Sequence, residues 1–242
     1  MMAEPSSKVR SVVSLNILHG GGTRADALTE RLLNYEADAL VVTEFRASRI
    51  GERLLARLED AGYVTSHPDS WSPDSVLITS RTSIDRSWAF NDELDARRLW
   101  CADIGWIVVC GVVMPSGQAK LPFWNSLVVR DPAVGSTCSL ATSTRAVANW
   151  TKSPKPIDSR AGTSGGRCTP VFGVREYSYV SNTDNGFRVD HAFAAPELAQ
   201  RVTACEFDHA PRLLGETDHS ALIVRVTTLA PSSVRGTHGS RA

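Results

Sequence analysis

The stretch "DALVVTEF", residues 38–45, sets the pattern on which this sequence is built. The four residues after Asp38 are apolar, as is typical of a strand buried on both faces. Thr43 and Glu44 follow at the carboxyl end of that run. Because scaffolds usually present functional side chains where strands end, Glu44 is a candidate site residue. A glutamate that simply marks the exit of the strand into solvent is the alternative.

The segments on either side of this stretch predict alternating strands and helices. "SVVSLNI", residues 11–17, is a predicted strand that delivers Asn16 at its end, and an amphipathic helix follows in which Leu28 and Leu32 share one face. A second amphipathic helix is predicted over residues 51–62. The order is therefore strand, helix, strand, helix.

The remainder of the chain adds further strands. Further predicted strands cover residues 75–80, 104–114, 177–181, 187–193, 201–207 and 219–226, and a helix is predicted from about residue 118. We expect one domain over residues 1–228 and a disordered tail over 229–242, which has nothing to bury.

Composition limits the classes of protein to which the chain can belong. Its 242 residues are 42% apolar, which is enough to form a hydrophobic core without stabilising disulfides or metal ions. Lysine plus arginine equals aspartate plus glutamate, at 26 each, so the chain has no overall positive charge that would attract a polyanion such as a nucleic acid. The five cysteines are odd in number and lack C-x-x-C spacing, which predicts neither disulfides nor zinc and favours a reducing, cytoplasmic setting. No segment has the length and apolarity of a membrane span or signal peptide.

Residues 131–174 break the pattern. Serine, threonine, proline, glycine and arginine dominate there, and no apolar period of a helix or strand survives. Such a stretch inside a compact domain counts against native-like sequence, and an inserted disordered loop is the alternative. We therefore expect no regular strand in this segment.

Polar residues stand at three strand ends, and each also has an ordinary structural explanation. Asn16 and Glu44 end two strands, Asp190 lies in "VDH", and Asp218 and His219 lie in "TDHSAL". Asparagine is a common turn former, and an aspartate in a turn often bonds its own backbone. Only their order along the chain makes them a set.

That ordered set resembles the endonuclease/exonuclease/phosphatase superfamily, and most of all its small exodeoxyribonuclease III-type members. The matching stretches are "SLNILHG", "DALVVTEFR", "VLITSR", "GVVMPSGQAKLPFW", "FRVDHAFAAPEL" and "ETDHSALIVRV". The resemblance implies an α+β fold of two packed β-sheets flanked by helices, the DNase I-like four-layer sandwich. It also implies a metal-dependent phosphodiester hydrolase, with DNA as the substrate, no membrane association and no obligate protein partner.

The resemblance assigns roles that physical chemistry supports. Glu44 is the implied main ligand of Mg²⁺ or Mn²⁺, Asn16 positions the metal, and Asp218 adds negative charge beside it. His219 lies at the scissile phosphate, where it activates water or stabilises charge, and Asp190 orients its ring.

Two departures from the family pattern bear on activity. Val113 stands where family members commonly carry a tyrosine that touches the phosphate. The family's "GDFN" strand end, whose Asp and Asn hold the nucleophilic water and the phosphate, is missing between Val129 and Tyr177.

The missing motif is recoverable from the sequence in another reading frame. "ATSTRA", residues 141–146, can be encoded by codons that give Gly-Asp-Phe-Asn-Thr-Gly when the frame moves back by one base. We therefore interpret residues 131–174 as an out-of-frame reading bounded by two compensating shifts. The strand before the motif should then be lost and activity should be very low, because residues of one catalytic unit act together.

Three functions remain open at this stage. The first is a DNA nuclease, for which Arg46, Arg49, Arg53 and Arg57 form a possible basic patch or only a solvated helix face. The second is a catalytically inactive family member. The third keeps the chemistry but acts on a lipid or a small-molecule phosphodiester, since one fold serves many substrates.

We predict that the nucleotide sequence over the codons for residues 129–177 carries the wobble bases that the shifted frame requires, with a compensating shift on each side. Sequencing the DNA across these codons checks this. Third bases that do not restore the Gly-Asp-Phe-Asn reading would contradict the frame interpretation.

Overall fold

The computed structural model describes residues 7–69, 74–129, 137–143, 166–168 and 176–228, with backbone alone at 128–129, 137–143, 166–168 and 196–197. The described strands and α-helices are β1 (Lys8–Asn16), α1 (Ala25–Asn34), β2 (Ala39–Phe45), α2 (Arg49–Asp60), β3 (Val64–Ser66), β4 (Ser75–Ser80), β5 (Arg86–Ala89), β6 (Leu99–Asp103), β7 (Val108–Met114), α3 (Leu121–Val129), β8 (Thr137–Ser143), β9 (Gly166–Cys168), β10 (Tyr179–Val180), β11 (Gly186–Phe187), β12 (Asp190–Ala194), α4 (Pro196–Ala199), β13 (Val202–Asp208), α5 (Ala210–Leu213) and β14 (Ala221–Thr228).

Two six-stranded sheets form the centre of the fold. The first has the order β13-β14-β1-β2-β4-β3, and the second has the order β5-β6-β7-β8-β12-β9. Each sheet contains one parallel pair, β1 with β2 and β7 with β8, and the other described pairs are antiparallel. The short strands β10 and β11 pair separately.

Apolar side chains on the facing sides of the sheets form the main core. Val12, Val41 and Val76 of the first sheet pack with Val109 and Val113 of the second. Alternate residues of β1 and β2 point the other way, as the period of a strand requires.

Those outward residues pack against the helices. On the first sheet they pack against one face of α1 and α2, where Leu28 and Leu54 are among the buried helix residues. On the second sheet, Phe123 of α3 packs against Val112 and Met114. The layers are therefore helices, sheet, sheet and helix, which confirms the expected α+β sandwich.

Each predicted strand overlaps a strand of the structure, but the one predicted over residues 187–193 covers two strands, β11 and β12, and β3 and β5 were not predicted. The stretch over residues 104–114 proved too long, because a tight turn occupies residues 104–107 and β7 begins at Val108. Gly105 takes a positive φ of 82° in that turn, a conformation that costs glycine little. Before the turn lies β6, which the sequence reading missed.

The cysteine prediction was wrong. Cys101 in β6 and Cys110 in β7 form a disulfide, and they stand directly opposite each other in the antiparallel register. Counting cysteines and spacings does not reveal such a pair, because the register decides which residues face each other.

The expectation that no strand forms within residues 131–174 was also wrong. The backbone over Thr137–Ser143 forms β8, which lies between β7 and β12 and pairs with both. A ladder is made by backbone N–H and C=O groups, so a segment without a strand-like side-chain pattern can still complete it. A second short strand, β9, lies at the sheet edge. The rest of this segment and the tail over 229–242 lie outside the described residues.

No α-helix within the described ranges is both long and apolar enough to span a bilayer.

Gly111 lies in β7, where that strand faces β2 and β4 of the other sheet. A Cβ atom there would lie 2.3 Å from Val76 Cγ1 and 2.8 Å from Val41 Cγ1, both on the opposite sheet. We expect Gly111→Ala to lower the free energy of unfolding by about 1–3 kcal/mol, because overpacking forces strained side chains or a backbone shift. Urea denaturation measures this. The control is Ser87→Ala at an exposed position of β5, which should change stability by less than about 0.5 kcal/mol. Equal stability of both variants would contradict this packing.

Candidate functional site

The parallel pairing of β1 with β2 brings two of the predicted site residues together. Asn16 stands beside Thr43 in the register, so the ends of both strands reach the same edge of the sheet. There Asn16 Nδ2 donates a hydrogen bond of 2.9 Å to Glu44 Oε1. Both side chains are almost completely buried. The alternative of a glutamate entering solvent is therefore excluded.

Glu44 is a buried carboxylate in an unusual environment. Its φ of 57° is left-handed, which is uncommon for a residue with a long side chain. Oε2 accepts a hydrogen bond of 3.0 Å from the His19 backbone N–H. Within the described part of the chain, no lysine or arginine forms an ion pair with Glu44. A buried carboxylate without such a partner is suited to bind a cation.

His219 and Asp190 meet across the two sheets. His219 lies two residues before β14 in the first sheet, and Asp190 is the first residue of β12 in the second. His219 Nδ1 lies 2.9 Å from Asp190 Oδ2, and both side chains are buried. Thr217 Oγ1 donates 2.8 Å to the carbonyl of Asn16, which ties the same turn to the end of β1. The four buried candidates therefore lie along one edge of the two packed sheets; they are Asn16, Glu44, Asp190 and His219.

Ser178 holds Asp190 in place and was missed in the sequence reading. Its buried hydroxyl accepts hydrogen bonds of 3.0 Å from the backbone N–H groups of Val189 and Asp190. Its carbonyl accepts 2.7 Å from the N–H of Ser220, just beyond His219. A serine two residues after Glu176 carries no sequence signal for this role, because the contacts span eleven residues and more.

Opposing effects set the charge of His219. Burial lowers the pKa of its imidazole, but the charge and hydrogen bond of Asp190 outweigh it, and Asp218 and Glu44 add to the rise. The net result is a raised pKa, so the protonated ring is favoured.

The second ring nitrogen of His219 faces the candidate site. Nε2 is buried without a hydrogen bond among the described residues, and it lies 3.9 Å from Asp218 Oδ1. Asp218 is partly exposed, unlike Asp190. A buried ring nitrogen with no partner requires an explanation, and an incoming ligand atom is one.

Two residues that the sequence did not identify as site candidates, His19 and Asp74, lie beside Glu44. His19 Nδ1 lies 3.2 Å from Glu44 Oε2 and 3.1 Å from Asp74 Oδ1. Arg46 Nη2 lies 3.2 Å from the same Asp74 oxygen. The only sequence signals are the histidine in "NILHG" and the aspartate just before the strand "SVLITS".

The register also places the two positions that depart from the family pattern. Thr142 of β8 stands opposite Val113 of β7 on one side and opposite Asp190 on the other. In the shifted frame, position 142 is the Asp of the motif. The strand end that lacks this aspartate therefore lies at the level of Asp190.

The four arginines after β2 do not act as one patch. Arg46 contacts Asp74, and Arg57 pairs with Glu30. Arg49 and Arg53 are exposed on α2, as on a solvated helix face.

Solved structures share this arrangement of sheets and helices. No protein-family model and no curated protein matches the sequence. The chain is similar to an AP endonuclease from Archaeoglobus fulgidus, with a TM-score of 0.64, 17% identity, and coverage of 89% of this chain and 98% of that one. For the 3'-5' exonuclease NExo from Neisseria meningitidis the TM-score is 0.66 and the identity 16%, over 88% and 98% of the two chains.

A third similar structure is that of D. rerio TDP2 complexed with single-strand DNA product. The TM-score is 0.66 and the identity 15%, over 90% of this chain and 98% of that one. The chain therefore shares the DNase I-like fold of these structures.

We predict that Asp190→Asn lowers the pKa of His219, because the variant loses the charge that opposes burial. In the parent chain the pKa of His219 should lie above that of a free histidine, and in the variant it should lie below. NMR titration of the ring protons in the presence of a chelator measures both values. Asp218→Asn is the matched control and should lower this pKa less, since Asp218 contributes less than Asp190.

The same shift has a consequence for stability. A raised pKa in the folded state stabilises the fold below the pKa of an unfolded histidine, and this contribution is lost as pH rises through the folded pKa. The parent chain should therefore exceed Asp190→Asn in stability most at about pH 5–6, where carboxylates are ionised. A His219 pKa unaffected by Asp190→Asn would contradict the assignment.

Proposed function

We propose that the chain is a metal-dependent phosphodiester hydrolase of the exodeoxyribonuclease III type, with DNA as its substrate and low turnover in its present sequence. The observation that carries the proposal is the His219–Asp190 pair at the strand ends that bear Asn16 and Glu44. Nε2 of His219 is buried there and has no hydrogen-bond partner among the residues that the structure describes. A buried imidazole that is bonded on one side only requires an explanation, and a ligand atom at Nε2 is the one proposed here.

Asp190 and His219 form the acid–base part of the proposed site. Asp190 orients the ring through Nδ1, which leaves Nε2 for the scissile phosphate or the attacking water. A neutral ring would accept a proton from water, whereas a protonated ring would stabilise charge that develops on the phosphate.

Glu44 fits a hard divalent cation. It is a buried carboxylate without a lysine or arginine partner in the described ranges, and Asn16 fixes one of its oxygens. We propose that Glu44 binds Mg²⁺ or Mn²⁺, with Asn16 and Asp218 beside it, since such ions prefer one or two carboxylates and retained waters. A bound ion of this kind neutralises phosphoryl oxygens and stabilises the leaving oxygen.

The low turnover follows from β8. Thr142 stands beside Asp190, where the family motif has an aspartate, and threonine cannot accept a proton from water as a carboxylate does. Val113 on the neighbouring strand cannot hydrogen-bond to a phosphate. The second candidate, an inactive family member, is favoured by this same register, and restoring the motif separates the two.

DNA is the proposed substrate because proteins of this fold include an AP endonuclease and a 3'-5' exonuclease. A third protein of this fold, D. rerio TDP2, is known in complex with single-strand DNA product. A role in DNA repair and a cytoplasmic location belong to the same proposal.

We predict that the double substitution Thr142→Asp with Thr144→Asn raises DNA cleavage at least about 10²-fold, the usual contribution of a positioned general base. The assay follows labelled oligonucleotides with Mg²⁺, one carrying an abasic site and one single-stranded. Thermal unfolding of each variant shows whether the fold is kept.

Two controls make this result specific. Thr142→Asn with Thr144→Asn matches the size of the restored side chain without its charge and should give no gain. Adding Glu44→Gln to the restored chain should remove the gain. A folded, restored chain that remains inactive on DNA, lipid and nucleotide phosphodiesters would contradict the proposed function and favour the inactive candidate.

A further inference from the structure

We propose that His19 and Asp74 join Glu44 in a three-ligand site that selects a first-row transition metal ion, Mn²⁺ or a similar cation, over Mg²⁺. The ligand atoms are His19 Nδ1, Glu44 Oε2 and Asp74 Oδ1, which all lie within 4.8 Å of one another. The site shares Glu44 with the proposed function, and only the use of the metal rests on that function.

The distances between these atoms suit one metal coordination sphere. Nδ1 of His19 lies 3.2 Å from the Glu44 oxygen and 3.1 Å from the Asp74 oxygen. Neighbouring ligands bound at about 2.0–2.2 Å lie about 2.8–3.6 Å apart in octahedral or tetrahedral geometry. Both measured edges fall in that interval, so a cation can contact all three residues after small side-chain movements.

Burial and exposure suit a site filled from solvent. Glu44 is 1% exposed, and within the described ranges it has no lysine or arginine to balance its charge. The His19 side chain is 55% exposed and that of Asp74 21%. A cation can therefore enter past His19 and neutralise the carboxylate at the bottom of the site.

Arg46 contacts the same site without cancelling its charge. Its Nη2 and Nε atoms lie 3.2 and 3.4 Å from Asp74 Oδ1. The two carboxylates and the one guanidinium together carry one net negative charge. Metal-ligating carboxylates are usually hydrogen-bonded in turn, so Arg46 is suited to orient Asp74.

The backbone supports the same cluster. His19, Glu44 and Asp74 have φ values of 55°, 57° and 64°, all in the left-handed region. For glutamate this conformation is costly, and such strain is retained where surrounding structure requires it, often at functional sites.

The ligand types determine the class of metal. Imidazole nitrogen is a ligand of transition metals, whereas Mg²⁺ is bound through oxygen and keeps several waters. A site with one nitrogen and two carboxylate oxygens should therefore bind Mn²⁺ more tightly than the oxygen ligands of Glu44, Asn16 and Asp218 alone would. Mg²⁺ should gain little from His19.

Two variants remove the added ligands while keeping the backbone. Asparagine readily adopts positive φ, so His19→Asn and Asp74→Asn preserve the local conformation. Their matched controls are His67→Asn, whose ring faces the carbonyl of Pro68, and Asp69→Asn, which is exposed in the same loop. Thermal unfolding confirms that each variant folds.

The experiment is Mn²⁺ titration of the full chain by EPR, followed by pulsed EPR of the bound ion. We expect nitrogen modulation from one imidazole in the parent chain and in both controls. In His19→Asn the modulation should vanish and the Kd for Mn²⁺ should rise at least about tenfold, with a similar rise in Asp74→Asn. The Kd for Mg²⁺ should change less than about threefold.

Bound Mn²⁺ without nitrogen modulation, and with a Kd unchanged in His19→Asn, would overturn this inference while leaving the proposed nuclease site at Glu44 intact. Mn²⁺ held by His19 in a chain whose restored motif still gives no hydrolysis would support the inference and contradict the proposed function. Parent protein that binds no Mn²⁺ would overturn the three-ligand site.

Discussion

The hydrogen bond between His219 and Asp190 is the interaction on which the candidate site depends, because it joins the two sheets at the edge where their functional residues meet. His219 precedes β14 of the first sheet and Asp190 begins β12 of the second. A buried pair of this kind seldom adds to stability, since removing two polar groups from water costs several kcal/mol. Its placement is therefore better explained by the position it gives to Nε2 than by a contribution to the fold.

Strand pairing completes the same edge. Parallel pairing of β1 with β2 sets Asn16 beside Glu44, and Thr217 fastens the turn before His219 to Asn16. The core between the sheets lies directly below and leaves little freedom, as the contact at Gly111 shows. Rigid strands with polar residues at their ends are the arrangement in which a site is most accurately held.

Much of this arrangement was predictable from local sequence, and the reason is visible in the residues. The apolar runs that end in Asn16 and Glu44 predict both the strands and their polar ends. Together with the motifs around Asp190 and His219, they form the ordered set on which the expected fold was based. The contact of His19 with Asp74 joins residues 55 positions apart, and no local pattern encodes it. The same limit hid the Cys101–Cys110 bond, which depends on register. β8 was not predicted because its side-chain pattern is not typical of a strand, whereas its backbone pairs with both neighbouring strands.

The central claim is that the strand ends around Glu44 bind a divalent cation beside His219. Anomalous diffraction from crystals of the full chain equilibrated with Mn²⁺ tests this most directly. We expect a strong anomalous peak within bonding distance of the Glu44 carboxylate. Ordered strand ends with no peak at Glu44, or with manganese bound only elsewhere, would contradict it.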